Sequence, residues 1–189
     1  MTTPKLLVII GSTRPGRIGP AFARWFVDVA RKHGEFEVEL ADLAEVDLPL
    51  FDEPKHPRLG DYQHEHTKRW SAIVDAADTV VFVVPEYNYA YNAATKNAID
   101  YLHNEWRDKA VSFVSYGGNA GGTRAVQQLK QVLTTVRMTP IFESVNVAFA
   151  PTQLDEQGEV KEDEGRNGAA TAMLDELLRV TRLLRPATA

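Results

Sequence analysis

Residues 11–19, GSTRPGRIG, carry the side chains that bind an anion. Ser12 and Thr13 offer hydroxyls, while Arg14 and Arg17 offer forked cationic donors. Apolar residues then recur at helical spacing, at Phe22, Trp25, Phe26 and Val29. Free N–H groups around Ile18 and Gly19 would therefore point out of a helix N-terminus, which favours negative charge. The spacing decides which anion. A triphosphate loop needs G-x-x-x-x-G-K-[ST]; Gly11 and Gly16 match, but Arg17 and Ile18 stand where the lysine and the hydroxyl belong. A dinucleotide fingerprint needs a glycine where Thr13 stands, and a β-branched side chain keeps a pyrophosphate off the backbone. A single phosphate is what remains.

Two other segments are rich in binding groups. PEYNYAYN (85–92) crowds tyrosines and asparagines behind an apolar run. Pro85, Glu86, Tyr87 and Asn88 could give a flat heteroaromatic ligand a wall and polar edge contacts. Tyr89 and Tyr91 fit a core or subunit interface equally well. SYGGNAGGTRA (115–125) leaves its backbone bare at Gly117, Gly118, Gly121 and Gly122, so a ligand can lie on the peptide groups. Other chemistry is excluded or weak. With no cysteine among 189 residues, thiolate metal sites, Fe–S clusters and cysteine nucleophiles are ruled out. HEHTK (64–68) fails the zinc pattern H-E-x-x-H at Lys68, and its histidines are expected on a solvated helix face with no metal bound.

These segments must be positioned by an alternation of strands and helices. KLLVIIG (5–11), TVVFVVP (79–85) and AVSFVSYGG (110–118) read as strands buried on both sides, FEVELADL (36–43) as an edge strand, and PIFESVNVAF (140–149) as a fifth strand. Helices are expected after residue 19, over 62–76 and 92–106, around Val126–Val136, and at the end around Met173–Leu184. Residues 45–60 and 151–168 read as loops. Such alternation predicts one α/β domain over 1–189: a flavodoxin-like three-layer sandwich with a five-stranded parallel sheet in order 2-1-3-4-5 and helices on both faces. Ligands bind such sheets at the strands' carboxyl ends, where the three segments above lie. A net charge of −5 with interspersed signs speaks against nucleic acid. No apolar run approaches the ~20 residues of a membrane span, and the N-terminus is not a signal peptide, so a cytoplasmic protein is expected.

Together GSTRPGRIG, PEYN followed by KNAIDYL, and SYGGNAGG resemble the NAD(P)H-dependent FMN reductases, a flavodoxin-like family that includes quinone, azo-dye and chromate reductases. The resemblance runs from about residue 5 to about 149 and takes in DLPLFDEP (47–54). It implies that Ser12, Arg14 and Arg17, with the backbone at Ile18 and Gly19, hold the FMN phosphate. It also implies that Pro85, Glu86, Tyr87 and Asn88 run beside the isoalloxazine, and that Ser115, Tyr116, Gly117 and Gly118 border its other edge. Hydride from NADPH or NADH would reach the flavin and pass on to a quinone, free flavin, azo compound or metal oxyanion. The cofactor carries that reaction, so no catalytic side chain is expected. A homodimer or homotetramer built on the helix near Asn92 is implied as well. Many members carry a serine where Arg17 stands here. Two rivals are an electron carrier of the same fold without NAD(P)H activity, and a Rossmann dehydrogenase using Asp42 as its ribose acid.

Overall fold

The computed structural model describes residues 2–184. The strands are β1 (Lys5–Ile10), β2 (Glu37–Asp42), β3 (Thr79–Pro85), β4 (Ala110–Tyr116), β5 (Thr139–Pro140) and β6 (Val145–Val147). The helices are α1 (Gly19–His33), α2 (Leu43–Val46), α3 (Glu65–Asp75), α4 (Ala93–Asp100), α5 (Thr123–Thr135) and α6 (Glu164–Leu184). The order is β2-β1-β3-β4-β5, all parallel, with β6 also paired to β4.

Strand alternation builds two cores. Leu6, Val8 and Ile10 of β1 face α1 and α6, packing with Phe22, Phe26, Met173 and Leu177. Leu7 and Ile9 face α3, α4 and α5, packing with Trp70, Ile99 and Leu129. Burial on both faces explains why β1, β3 and β4 are apolar almost throughout.

The expected fifth strand is broken in two. Ile141 N–H still donates to Val111 (3.0 Å), but the chain then loops outward and leaves Phe142 89% exposed. Ser112 Oγ donates to the Glu143 carbonyl (2.6 Å), meeting a ladder group the loop would otherwise leave unpaired. The helix expected over 92–106 stops at Asp100 and yields to a 3₁₀ turn at Asn104–Trp106. Residues 151–168 begin with a 3₁₀ turn and end inside α6. Arg166, 9% exposed, ties this segment down through Gln153 and the Lys161 carbonyl, and its guanidinium lies over the Trp25 ring.

The 45–60 segment is firmly held. Asn97 accepts from Phe51 N–H (2.9 Å) and donates to the Pro49 carbonyl (2.6 Å). The buried Glu53 carboxylate accepts the N–H groups of Gln63 and His64. His64 and His66 depart from the solvated face expected of them. They stack on each other (5.1 Å between centroids), and His66 pairs with Asp52 (3.0 Å) against the edge of Tyr101. Among the described residues no group of three or more His, Cys, Asp or Glu could hold a metal ion. No described helix is long and apolar enough to cross a membrane.

Candidate cofactor site

The three segments meet at the carboxyl ends of β1, β3 and β4. Gly11 N–H donates to the Val83 carbonyl (2.9 Å), and Glu86 N–H to that of Tyr116 (3.0 Å). A Cβ on Gly19 would come within 2.6 Å of the Tyr116 hydroxyl, and one on Gly117 within 3.4 Å of Glu86 Cβ. Gly11 itself has no room for a side chain: a Cβ there would lie 2.3 Å from Thr95 Oγ1.

The first loop is braced from two sides. Asn92 Nδ2 donates to the Gly11 carbonyl (2.6 Å), and Thr95 Oγ1 holds Asn92 by its Oδ1 (2.8 Å). On the other side Arg17 donates to the Ser12 carbonyl (2.8 Å) and to both Asp42 oxygens (2.5 and 2.7 Å). Hydrogen bonding to Asp42 raises the Arg17 pKa above its ordinary value despite the cost of burial. Arg17, expected at a phosphate, is engaged here by Asp42, a forked pair that side-chain exposures of 20% and 11% keep from water. Asp42 in turn is not free to take a ribose. It also caps α2 by accepting Ala44 N–H (3.0 Å).

Thr13, Arg14, Pro15 and Gly16 lie exposed, Ile18 is half-buried and Gly19 is buried. Thr13 borders a cleft of about 370 Å³ shared with Leu43, Asp47, Leu50 and Ala94. Arg14 reaches across to the second loop, its guanidinium carbon 6.0 Å from the Tyr87 ring centroid. Ser12 is fully buried, and so, at 5% exposure, is Tyr116. The Tyr116 ring stacks on Phe22 (5.2 Å) and its hydroxyl approaches Ser12. Neither Ser12 Oγ nor the Tyr116 hydroxyl has a partner in good geometry among the described residues. Burial pushes the Tyr116 phenol above its usual range, so it stays a protonated donor at neutral pH. Both oxygens lie where α1 begins, since a Cβ on Gly19 would sit 2.4 Å from the serine oxygen.

Past the buried Pro85, the second loop is a two-residue turn. Tyr87 and Ala90 exchange both backbone hydrogen bonds (2.9 Å each), and Asn88 and Tyr89 sit at φ 49° and 70°. Two successive positive φ values are the mark of a type I′ turn, which asparagine tolerates and tyrosine does not favour. The strain at Tyr89 is held from outside. Arg124 lies 3.6 Å over its ring and Gln128 donates to its carbonyl (2.9 Å). Arg124 is itself fixed by Glu86, whose carboxylate accepts from its guanidinium (2.6 Å) and its backbone N–H (3.2 Å). The Glu86 side chain is thus tied to the turn through Arg124.

The third loop is held mainly by backbone. Gly117 N–H donates to Val147 (3.1 Å), and the Gly118 carbonyl accepts from Gly121 (3.1 Å) and Phe149 (3.0 Å). Ser115 Oγ lies 2.8 Å from both the Gly121 carbonyl and Asn146 Oδ1. A Cβ on Gly118 would meet nothing within 4 Å, leaving that peptide face open. The bracing roles of Asn92, Thr95, Arg124 and Gln128 are not read from the sequence. Only Asn92 leaves a local signal, an asparagine just before a helix.

The model of the NADPH-dependent FMN reductase family matches residues 4–152. The chain belongs to this family. It is 44% identical over 138 residues to an NAD(P)H-dependent FMN reductase of Schizosaccharomyces pombe, covering 72% of this chain and 68% of that one. To an NADPH azoreductase of a Bacillus species it is 34% identical over 157 residues, covering 82% and 83%. Among solved structures it resembles FerB, an NAD(P)H:(acceptor) oxidoreductase from Paracoccus denitrificans, with TM-score 0.75 and 22% identity over 95% of this chain and 98% of that one. This FMN reductase thus has the flavodoxin-like architecture expected from its strand and helix alternation.

Proposed function

We propose that this family member binds FMN across the three loops and oxidises NADPH or NADH, delivering the electrons to a small-molecule acceptor. The observation that carries the reading is the pair of buried, unpartnered hydroxyls of Ser12 and Tyr116 at the start of α1. Leaving a buried donor unmade costs about 1–3 kcal/mol. A phosphate oxygen is an acceptor suited to both, at a helix end whose N–H groups and dipole favour an anion. Ser12, Tyr116 and the backbone at Ile18 and Gly19 would hold the phosphate, with Arg14 adding charge from the rim. The backbone of Pro85–Asn88 and the Tyr87 ring would run along the isoalloxazine. The bare peptides of Gly117 and Gly118 would meet its other edge, their N–H dipoles able to favour negative charge there.

FMN held there would supply the redox chemistry, hydride uptake from the nicotinamide and onward electron transfer. The chain's part is to hold, orient and leave a face open, and we assign no catalytic side chain. Candidate acceptors are a quinone, free flavin, an azo compound or a metal oxyanion. We further propose a single domain over 1–189, a cytoplasmic location, and a homodimer or homotetramer built on α4. Beside that helix the 83% exposed Leu50 and 41% exposed Phe51 offer apolar surface. The test is the absorbance of the FMN-loaded protein under NADPH without air. Bleaching without any partner, followed by NADPH turnover with a quinone or azo dye, is the expected result. Bleaching only with a separate reductase would mean an electron carrier, and no uptake of FMN would refute the site.

A further inference from the structure

Resting on that reading, we infer that Arg17 and Asp42 act as a positioning pair that sets the phosphate loop before FMN arrives, and that Arg17 is not itself a phosphate ligand. No described peptide bond is cis, and in a trans peptide the C=O and the following N–H point in opposite directions. Asn92 holds the Gly11 carbonyl and Arg17 holds the Ser12 carbonyl. Fixing those two carbonyls also fixes the directions of Ser12 N–H and Thr13 N–H, turned away from their captors. Successive backbone N–H groups held in this way make an anion-binding concavity.

Asp42 makes the brace permanent. It is the last residue of β2, opposite Ile10 in the parallel register, so it stands beside the residue that opens the loop. One N–H of each terminal nitrogen of Arg17 goes to an Asp42 oxygen, and the second N–H of Nη1 goes to the Ser12 carbonyl. An arginine so engaged has little left for a ligand, whereas Arg14 is exposed. The loop therefore splits its two arginines, one for architecture and one for charge.

The decisive variant is Asp42→Asn. Asparagine keeps an Oδ1 acceptor for Ala44 N–H, so the α2 cap survives, while Arg17 keeps its charge and loses the ion pair and one arm of its forked contact. As a phosphate ligand, Arg17 would then bind FMN equally well or more tightly. As a positioning residue it loses its anchor, and FMN affinity falls about tenfold with riboflavin affinity unchanged. Arg17→Met should give a similar loss, and the double variant little more than either alone. A second readout needs no flavin. Trypsin cuts after arginine but passes over Arg14–Pro15, so in the apoprotein cleavage at Arg17–Ile18 reports how often Arg17 is free. That rate should rise about tenfold in Asp42→Asn, tracking the open population. Unchanged or tighter FMN binding in Asp42→Asn, or equal cleavage rates, would overturn the inference. A wild-type protein that takes up no FMN while the cleavage contrast persists would refute the functional reading instead, and with it the phosphate role of the loop.

Discussion

The first and third loops solve one problem by opposite means. In the proposed function each presents backbone to the flavin at the end of a buried strand. The first, 11–19, is held by side chains reaching in from elsewhere: Asn92 from the start of α4, and Arg17 locked to Asp42 of β2. The third, 117–122, is held mainly by backbone hydrogen bonds, within itself and to the Val147–Ala150 segment, and by glycines packed too closely for side chains. Gly121 and Gly122 take φ of 59° and 87°. A Cβ on Gly122 would lie 2.6 Å from Ser115 Cβ and 2.8 Å from Tyr116 N. A side-chain brace can be loosened by an isosteric change and retain the fold. A backbone brace fails when a single methyl is added.

The comparison is sharpest in the glycines, which should respond in a graded order. Gly122→Ala combines a left-handed backbone with contact against rigid atoms. It should cost about 3 kcal/mol, lowering the melting temperature by roughly 10 °C in a thermal scan. Gly19→Ala should separate binding from stability. Its methyl would lie 2.4 Å from Ser12 Oγ and 2.6 Å from the Tyr116 hydroxyl, in the cradle proposed for the phosphate. FMN affinity should fall about a hundredfold in a fluorescence titration, with a smaller loss of melting temperature than in Gly122→Ala because Gly19 is already helical and its contacts are the ends of two side chains. Gly118→Ala should do least. Its methyl meets nothing within 4 Å, so melting should stay within about 0.5 kcal/mol of wild type. A Gly118→Ala effect as large as that of Gly122→Ala would contradict the reading that close backbone packing at Gly122 holds the third loop.

The sheet was legible because burial on both faces leaves a plain record. TVVFVVP coincides with β3 as Thr79–Pro85, and KLLVIIG overruns β1 by one residue. The break between β5 and β6 was not legible. Phe142 and Phe149 look like core residues in PIFESVNVAF, yet both are exposed, at 89% and 56%. Hydrophobicity read along a strand assumes the strand continues, and a looped-out segment violates that without changing composition. For the site, residue types and topology were enough to choose the three loops. Partnership was not legible. Arg17 and Asp42 are 25 residues apart and meet only through the β1–β2 register. Glu86 and Arg124, 38 apart, meet only because β3 and β4 are neighbours. In both cases a side chain expected at the ligand is held by an opposite charge from the adjoining strand or helix.

The central claim is that the first loop anchors a phosphate. Comparing FMN with riboflavin, which differ by that phosphate alone, tests it most directly. In parallel titrations of the apoprotein, FMN should bind at least about a hundredfold more tightly. Arg14→Ala should reduce that preference about tenfold by acting on FMN alone. Equal affinities for the two flavins would contradict the account, because the flavin would then be held by its ring and the first loop would be no phosphate site.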